Sequence, residues 1–148
     1  MLSWVVWFQD IVLLSRKFIE QCLESVMQQT LPFEEMDVMV VDGGSKDKTR
    51  EIVNRISKEH PNVRLIPNPG KIQSIAFNIG VKESTAPYIV RLDAHVLYKN
   101  DYIERSLNLI KSDKSFGNVG GICLIKPQRS GEIPESSAIL NQVKFGIG

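Results

Sequence analysis

Charge of one sign is what this chain most plainly lacks. Its 18 lysines and arginines meet 17 aspartates and glutamates, a formal net charge of +1. No electrostatic footprint for nucleic acid follows, and no like-charge block forms a tail. Cysteine is scarce as well. Cys22 and Cys123 lie far apart among apolar neighbours, which reads as two buried thiols in a reducing, cytoplasmic setting rather than a disulfide framework. Long apolar runs are missing too. Met1 to Leu14 is apolar but broken by Gln9 and Asp10, and it falls short of the roughly 20 residues a bilayer span needs. It has neither the basic leader nor the small-residue cleavage site of a signal peptide. It reads as a first strand (Trp4 to Phe8 or Ile11 to Leu14) or a buried helix, with a membrane-surface role as the alternative. No repeat, low-complexity tract or linker divides the chain, so its 148 residues are read as one domain, able to bury a core without metal or disulfide staples. An apolar fraction of 43% and a charged fraction of 24% exclude disordered and fibrous classes.

What is present is an alternation of two periodicities. From Lys17 to Gln29 the residues Phe18, Ile19, Cys22, Leu23, Val26 and Met27 fall on one helical face, and Leu31-Pro32 stops that helix. Val38 to Val41 is a continuous β-branched run, as in a strand buried on both faces. Ser45 is positioned to cap a second helix, with Asp47 in its first turn and Ile52, Val53 and Ile56 facing inward up to His60-Pro61. The cycle repeats with a strand at Val63 to Ile66, a turn at Pro67 to Gly70, and a helical stripe of Ile72, Ile75, Ala76 and Ile79 ending at Gly80. A strand at Tyr88 to Leu92 runs into Asp93. A helix from Asn100 or Asp101 follows, with Glu104 as a capping-box partner and Ile103, Leu107 and Ile110 inward. Val119 to Leu124 is a last strand, and Ser136 to Gln142 a weak helix. Strands alternating with helices of this length predict an α/β fold with a mainly parallel central sheet flanked by helices.

In such sheets ligands bind beyond the carboxyl ends of the strands, so polar residues directly after apolar strands are site candidates. Asp42 ends one strand and is followed by Gly43-Gly44, which let a ligand approach the backbone and leave the next helix N-terminus open to an anion. The same triplet also suits a simple strand-to-helix turn in which Asp caps local amides. Asp93 ends another strand. In Asp93-Ala94-His95 the alternation of an extended chain sets Asp and His on one side, within reach of one divalent cation, or else the Asp merely closes a turn beside a packed or exposed His. No G-x-G-x-x-G follows any strand, which argues against a dinucleotide-dependent oxidoreductase.

Four segments in order resemble family 2 glycosyltransferases of the GT-A, Rossmann-like fold. Phe18 to Thr30 is similar to the family's first helix, which closes in "SLxxQT", and Val40-Val41-Asp42-Gly43-Gly44-Ser45-Lys46-Asp47-Lys48-Thr49 is similar to its "VVDDGSxDxT" segment. Gly70 to Gly80 is similar to its "GkxxAxNxG" helix, and Arg91-Leu92-Asp93-Ala94-His95 stands where the family has Asp-x-Asp. The Asp-Ala-His form is that of succinoglycan-type exopolysaccharide transferases. The resemblance implies inverting transfer of a sugar from a nucleotide-diphosphate donor, most often UDP-linked, to a glycan or lipid-linked acceptor at the inner face of a membrane. It implies Asp42, Gly43, Lys71 and Asp93 as donor-binding residues, with Asp42 accepting from the base and Lys71 near ribose or phosphates; a solvated helix-start lysine is the other reading of Lys71. It implies Asp93 and His95 at a Mg or Mn ion that stabilises the departing diphosphate. Imidazole suits these ions less well than carboxylate, so His95 either holds the metal weakly or hydrogen-bonds the phosphate.

Two departures from the family pattern shape the remaining expectations. Ile11 to Arg16 stands where the family has a "PxxNE"-like loop around the base, so 1–16 reads as an atypical N-terminal segment. Lys144 to Gly148 resembles the stretch just before the acceptor-side motifs, which puts the general base past Gly148 and leaves the catalytic residue unassigned. Residues 1–148 are thus expected to form one incomplete GT-A-type domain, either as part of an active transferase or as a catalytically incompetent nucleotide-sugar-binding fragment.

Overall fold

A computed structural model describes residues 2–8, 15–94 and 96–121, with side chains from residue 18 onward. Contacts group the chain into two compact units, Met1–Gly117 and Asn118–Gly148. In the second, only residues 118–121 fall within the described part, and they are irregular. The expected strand at Val119 to Leu124 is therefore absent over Val119 to Gly121, where two consecutive glycines disfavour extended pairing. Its remainder, Cys123, the helix at Ser136 to Gln142 and the segment Lys144 to Gly148 lie outside the described residues, as does His95.

The first unit is one parallel sheet with helices on both faces. Its elements are β1 (Leu2–Phe8), α1 (Ser15–Met27), a 3-10 turn (Phe33–Glu35), β2 (Met36–Asp42), α2 (Thr49–Glu59), β3 (Val63–Pro67), α3 (Gln73–Glu83), β4 (Ile89–Asp93) and α4 (Tyr102–Ser112). The strands run β3-β2-β1-β4, all parallel. Trp4 to Phe8 thus falls within the first strand, and Ile11 to Leu14 lies outside the described residues. The order runs outward from β1 to β3, then returns across to β4, so right-handed connections place α1 and α2 on one face and α3 on the other.

Burial follows that arrangement. Val38 and Val40 of β2 join Ile19, Cys22, Leu23 and Val26 of α1, Val53 of α2, Leu92 of β4 and Ile103 of α4 in one cluster. Met39 and Val41, pointing the other way, join Ala76 of α3. Val38 to Val41 of β2 are apolar because both faces of the strand are covered there.

Two helix boundaries differ from the sequence expectation. α2 begins at Thr49, not at a Ser45 cap, because Asp42 captures the Ser45 N–H and hydroxyl. Asp47 then accepts from the Thr49 N–H at 3.0 Å. α3 runs one turn past Gly80, which is buried inside it and lets the helix lie close on the sheet. The predicted α3 stripe is only partly buried. Ala76 is covered, while Ile72 and Ile75 are 51% and 37% exposed. No capping box forms at α4. Asp101 makes no side-chain cap, and Glu104 instead accepts from the Thr30 hydroxyl at 2.6 Å.

The Gln29-Thr30 pair closing α1 is the joint between α1 and α4. Gln29 is 7% exposed. Its Nε2 donates to the carbonyls of Ser25 (3.0 Å) and Lys99 (2.7 Å), and its Oε1 accepts from the Ile103 N–H at 3.2 Å. The Thr30 N–H donates to the Asn100 carbonyl at 2.8 Å. Replacing Gln29 with Leu leaves these groups without their partner, so Gln29→Leu is expected to lower unfolding stability by about 2 kcal/mol in urea titration, with the slope of the transition unchanged.

Candidate functional site

Because all four strands are parallel, their carboxyl ends share one edge. Register aligns Asp42 with Phe8 on one side of β1 and with Pro67 on the far side of β2, and aligns Asp93 with Trp7 on the other side of β1. Asp42 and Asp93 therefore sit two strand spacings apart, roughly 10 Å. This edge holds the switch in strand order, the place where α/β sheets bind ligands.

The two carboxylates are in different states. Asp42 is 1% exposed. Its Oδ1 accepts from the Ser45 N–H (3.0 Å) and hydroxyl (2.5 Å), and its Oδ2 accepts from Arg50 Nε at 2.5 Å. Burial pushes the carboxyl up, but the hydrogen bonds from Ser45 and the Arg50 guanidinium outweigh it and hold it below its ordinary value. Asp93 is half-buried and meets the Arg91 guanidinium at 3.1 and 3.4 Å. Its backbone is fixed instead: the N–H donates to the Tyr98 hydroxyl at 2.7 Å, and its carbonyl accepts from Val96 N–H at 3.0 Å and from the Cys22 thiol at 3.8 Å. Burial, then the Asp93 charge, push the Cys22 thiol up to about 12, and burial chiefly raises Tyr98. Cys22 is a free, buried thiol among the described residues, as its apolar neighbours predict.

Two loops meet beside Asp42, those that follow β2 and β3. Gly44 has φ 101°, and Lys71 Cε lies 3.7 Å from where a Cβ on Gly44 would be. Lys71 is exposed and has φ 55°. The structure thus brings Gly43, Gly44 and Lys71 together beside Asp42, with Asp93 across β1.

Sequence reasoning passed over Ser45 as a partner of Asp42, and it passed over Arg50, Asn68 and Tyr98. Asn68 carries the same signal as the two aspartates, a polar residue directly after a strand. Arg50 and Tyr98 carry none, since their partners are set by packing. A shallow groove between α1 and α2, lined by Glu20, Glu24, Met27, Arg55 and Glu59, lies apart from this edge.

As for a metal, no group of three or more His, Cys, Asp and Glu converges among the described residues. Asp93 is a single accessible carboxylate. That suits an ion carried mainly by substrate phosphates, which one or two protein carboxylates suffice to hold.

A parallel α/β sheet with its polar residues at the switch edge defines a Rossmann-like domain of the GT-A kind. The chain belongs to Glycosyl transferase family 2, whose model matches residues 11–142. It is 43% identical over 89 residues to Succinoglycan biosynthesis protein ExoA of Rhizobium meliloti, covering 59% of this chain and 27% of that protein. It is 33% identical over 104 residues to Glycosyltransferase AglE of Haloferax volcanii, covering 70% and 34%. The chain spans about a quarter to a third of the length of these curated relatives. The fold matches S. aureus TarS 1-349 in complex with UDP (TM-score 0.64, 20% identity, 84% of this chain and 38% of that one). It also matches the mannosyltransferase PcManGT of Pyrobaculum calidifontis in complex with GDP-Man and Mn2+ (TM-score 0.64, 23% identity, 74% and 32%).

Asp42 generates a pH-dependent prediction. Its folded-state value lies below its ordinary one, so its stabilising contribution is present above about pH 4, the unfolded value, and is lost as pH falls through the folded value. Asp42→Asn is expected to cost about 1–3 kcal/mol at neutral pH. The gap to the parent chain should narrow in urea titrations run below about pH 4.

Proposed function

We propose that this chain supplies the donor-binding edge of a glycosyltransferase that moves a sugar from a nucleoside-diphosphate carrier to a glycan or lipid-linked acceptor. The observation that carries it is the placement of the Gly43-Gly44 loop, Lys71 and Asp93 at one edge of one parallel sheet. Lys71 offers a cation, and the loop offers close backbone approach, so the phosphates belong between them. Asp93 faces the same edge and is the carboxylate for a Mg or Mn ion arriving with the diphosphate, with His95 as its second candidate ligand. Such an ion would neutralise charge on the departing diphosphate.

Asp42 takes a different part from that of a base acceptor. With both oxygens engaged by Ser45 and Arg50 and almost no exposure, its role is to fix the loop whose backbone the nucleotide meets. Likeness to Succinoglycan biosynthesis protein ExoA supports a setting in exopolysaccharide or cell-surface glycan synthesis; a place at the cytoplasmic face of a membrane is part of the same proposal. Among the described residues no helix is long and apolar enough to cross one.

Calorimetric titration of the 148-residue chain with UDP plus Mn, UDP alone and NAD tests this reading. UDP is expected to bind, more tightly with Mn. Asp93→Ala is expected to remove the Mn enhancement, lowering affinity for UDP plus Mn about tenfold while leaving metal-free UDP binding little changed. Binding of NAD without UDP would overturn the assignment.

A further inference from the structure

Lys71 is the one non-glycine residue with positive φ among the described residues. A side chain at such a position is strained, and it stays there only where the surroundings over-determine it. Those surroundings are largely one residue, Asn68. Its backbone N–H donates to the Asp42 carbonyl at 2.7 Å, which pins the β3–α3 turn to the end of β2. Its backbone carbonyl accepts the Lys71 N–H at 3.2 Å. Its side-chain Nδ2 donates across the turn to the Ile72 carbonyl at 3.1 Å. Asn68 thus holds the peptide group before Lys71 Cα and the carbonyl of the residue that follows it, bracketing Lys71, and the lysine stem passes over Gly44.

Asn68 is 2% exposed, and its Oδ1 has no hydrogen-bond partner among the described residues. A buried amide with its acceptor idle is unfavourable unless its donor is needed. The donor it uses is the bond to Ile72.

We propose that Asn68 is a positioning residue: it holds Lys71 in its left-handed backbone conformation so that the ammonium is presented over the Gly43-Gly44 loop to the phosphates of a nucleoside diphosphate. The ligand class rests on the function proposed above. The clamp itself rests on hydrogen bonds and backbone geometry alone.

Titration of the chain with UDP and with uridine, in the parent, Asn68→Ala, Lys71→Ala and the double variant, tests this. Each single variant is expected to lose about tenfold in UDP affinity, as for one charge-assisted phosphate contact, with uridine affinity unchanged. The double variant is expected to bind UDP no more weakly than Lys71→Ala alone. Additive losses, losses that extend to uridine, or an Asn68→Ala chain that keeps parental UDP affinity would overturn the proposal. A second measurement needs no ligand. The amide-to-alpha-proton coupling of Lys71 reports positive φ in the parent, and it is expected to change in Asn68→Ser, whose hydroxyl is too short to reach the Ile72 carbonyl. Retention of the parental coupling there overturns the clamp. Failure of the parent to bind UDP would sink the nucleotide reading while leaving that coupling to judge the clamp.

Discussion

The site exists because β1 is hydrogen-bonded on both sides in parallel register. With β2 on one flank and β4 on the other, two segments separated by half a hundred residues of chain end at the same edge, bringing their terminal aspartates within two strand spacings of each other. An antiparallel β4 would send Asp93 to the opposite edge, and exchanging β1 with β3 would abolish the switch in strand order. The backbone pairing of β1 thus outranks any single side chain, since Gly44 after β2 and Asp93 after β4 inherit their proximity from it, while the β2–β3 pair brings in Lys71. The joint at Gln29 is its complement on the helix side. It ties the end of α1 to the start of α4 and to the Lys99 carbonyl, and so bounds the segment that follows Asp93.

A division of labour follows at the edge. Asp42 is consumed by the protein itself, and its depressed pKa records how completely Ser45 and Arg50 satisfy it. Asp93 is the reverse. Its backbone is locked by Tyr98, Val96 and Cys22, while its carboxylate is left to a single guanidinium. Fixing the backbone while leaving the side chain accessible is what a ligand-binding carboxylate requires: the oxygens are placed without being used up.

The sequence made the frame legible where burial was two-sided or clearly one-sided. The run Val38 to Val41 reads as a central strand because helices cover both faces, and the stripe Ile19, Cys22, Leu23, Val26 reads as a helix because only one side is covered. α3 was harder: its apolar residues are spread round the helix among polar ones, and neither Ile75 nor the terminator reading of Gly80 reveals that the helix meets the sheet through Ala76 and Ile79. Asp42 and Asp93 were visible because the strand-end rule is geometric and needs no partner. Ser45 misled because an N-cap and a loop serine look alike until a buried carboxylate competes for its N–H. Arg50 and Tyr98 act through partners 8 and 5 residues away and Gln29 through one 74 residues away, and no local periodicity announces such bonds.

Arg91 bears directly on the cation site proposed for this edge. It stands two residues before Asp93 on the same side of β4, and its pairing with that carboxylate is half open to water, the two side chains being 49% and 32% exposed. Ion pairs so exposed contribute at most about 1 kcal/mol, so the guanidinium can give way to a stronger partner at little cost. Without nucleotide, a divalent ion held by Asp93 alone would compete with Arg91 for one carboxylate, which gives it little to favour binding. With nucleotide bound, Asp93 would hold an ion whose charge the diphosphate shares, and Arg91, released from Asp93, would be free to pair with the diphosphate. On the proposed reading, metal and donor therefore bind as one unit, and the order of events at this edge is set by an arginine that no motif singles out.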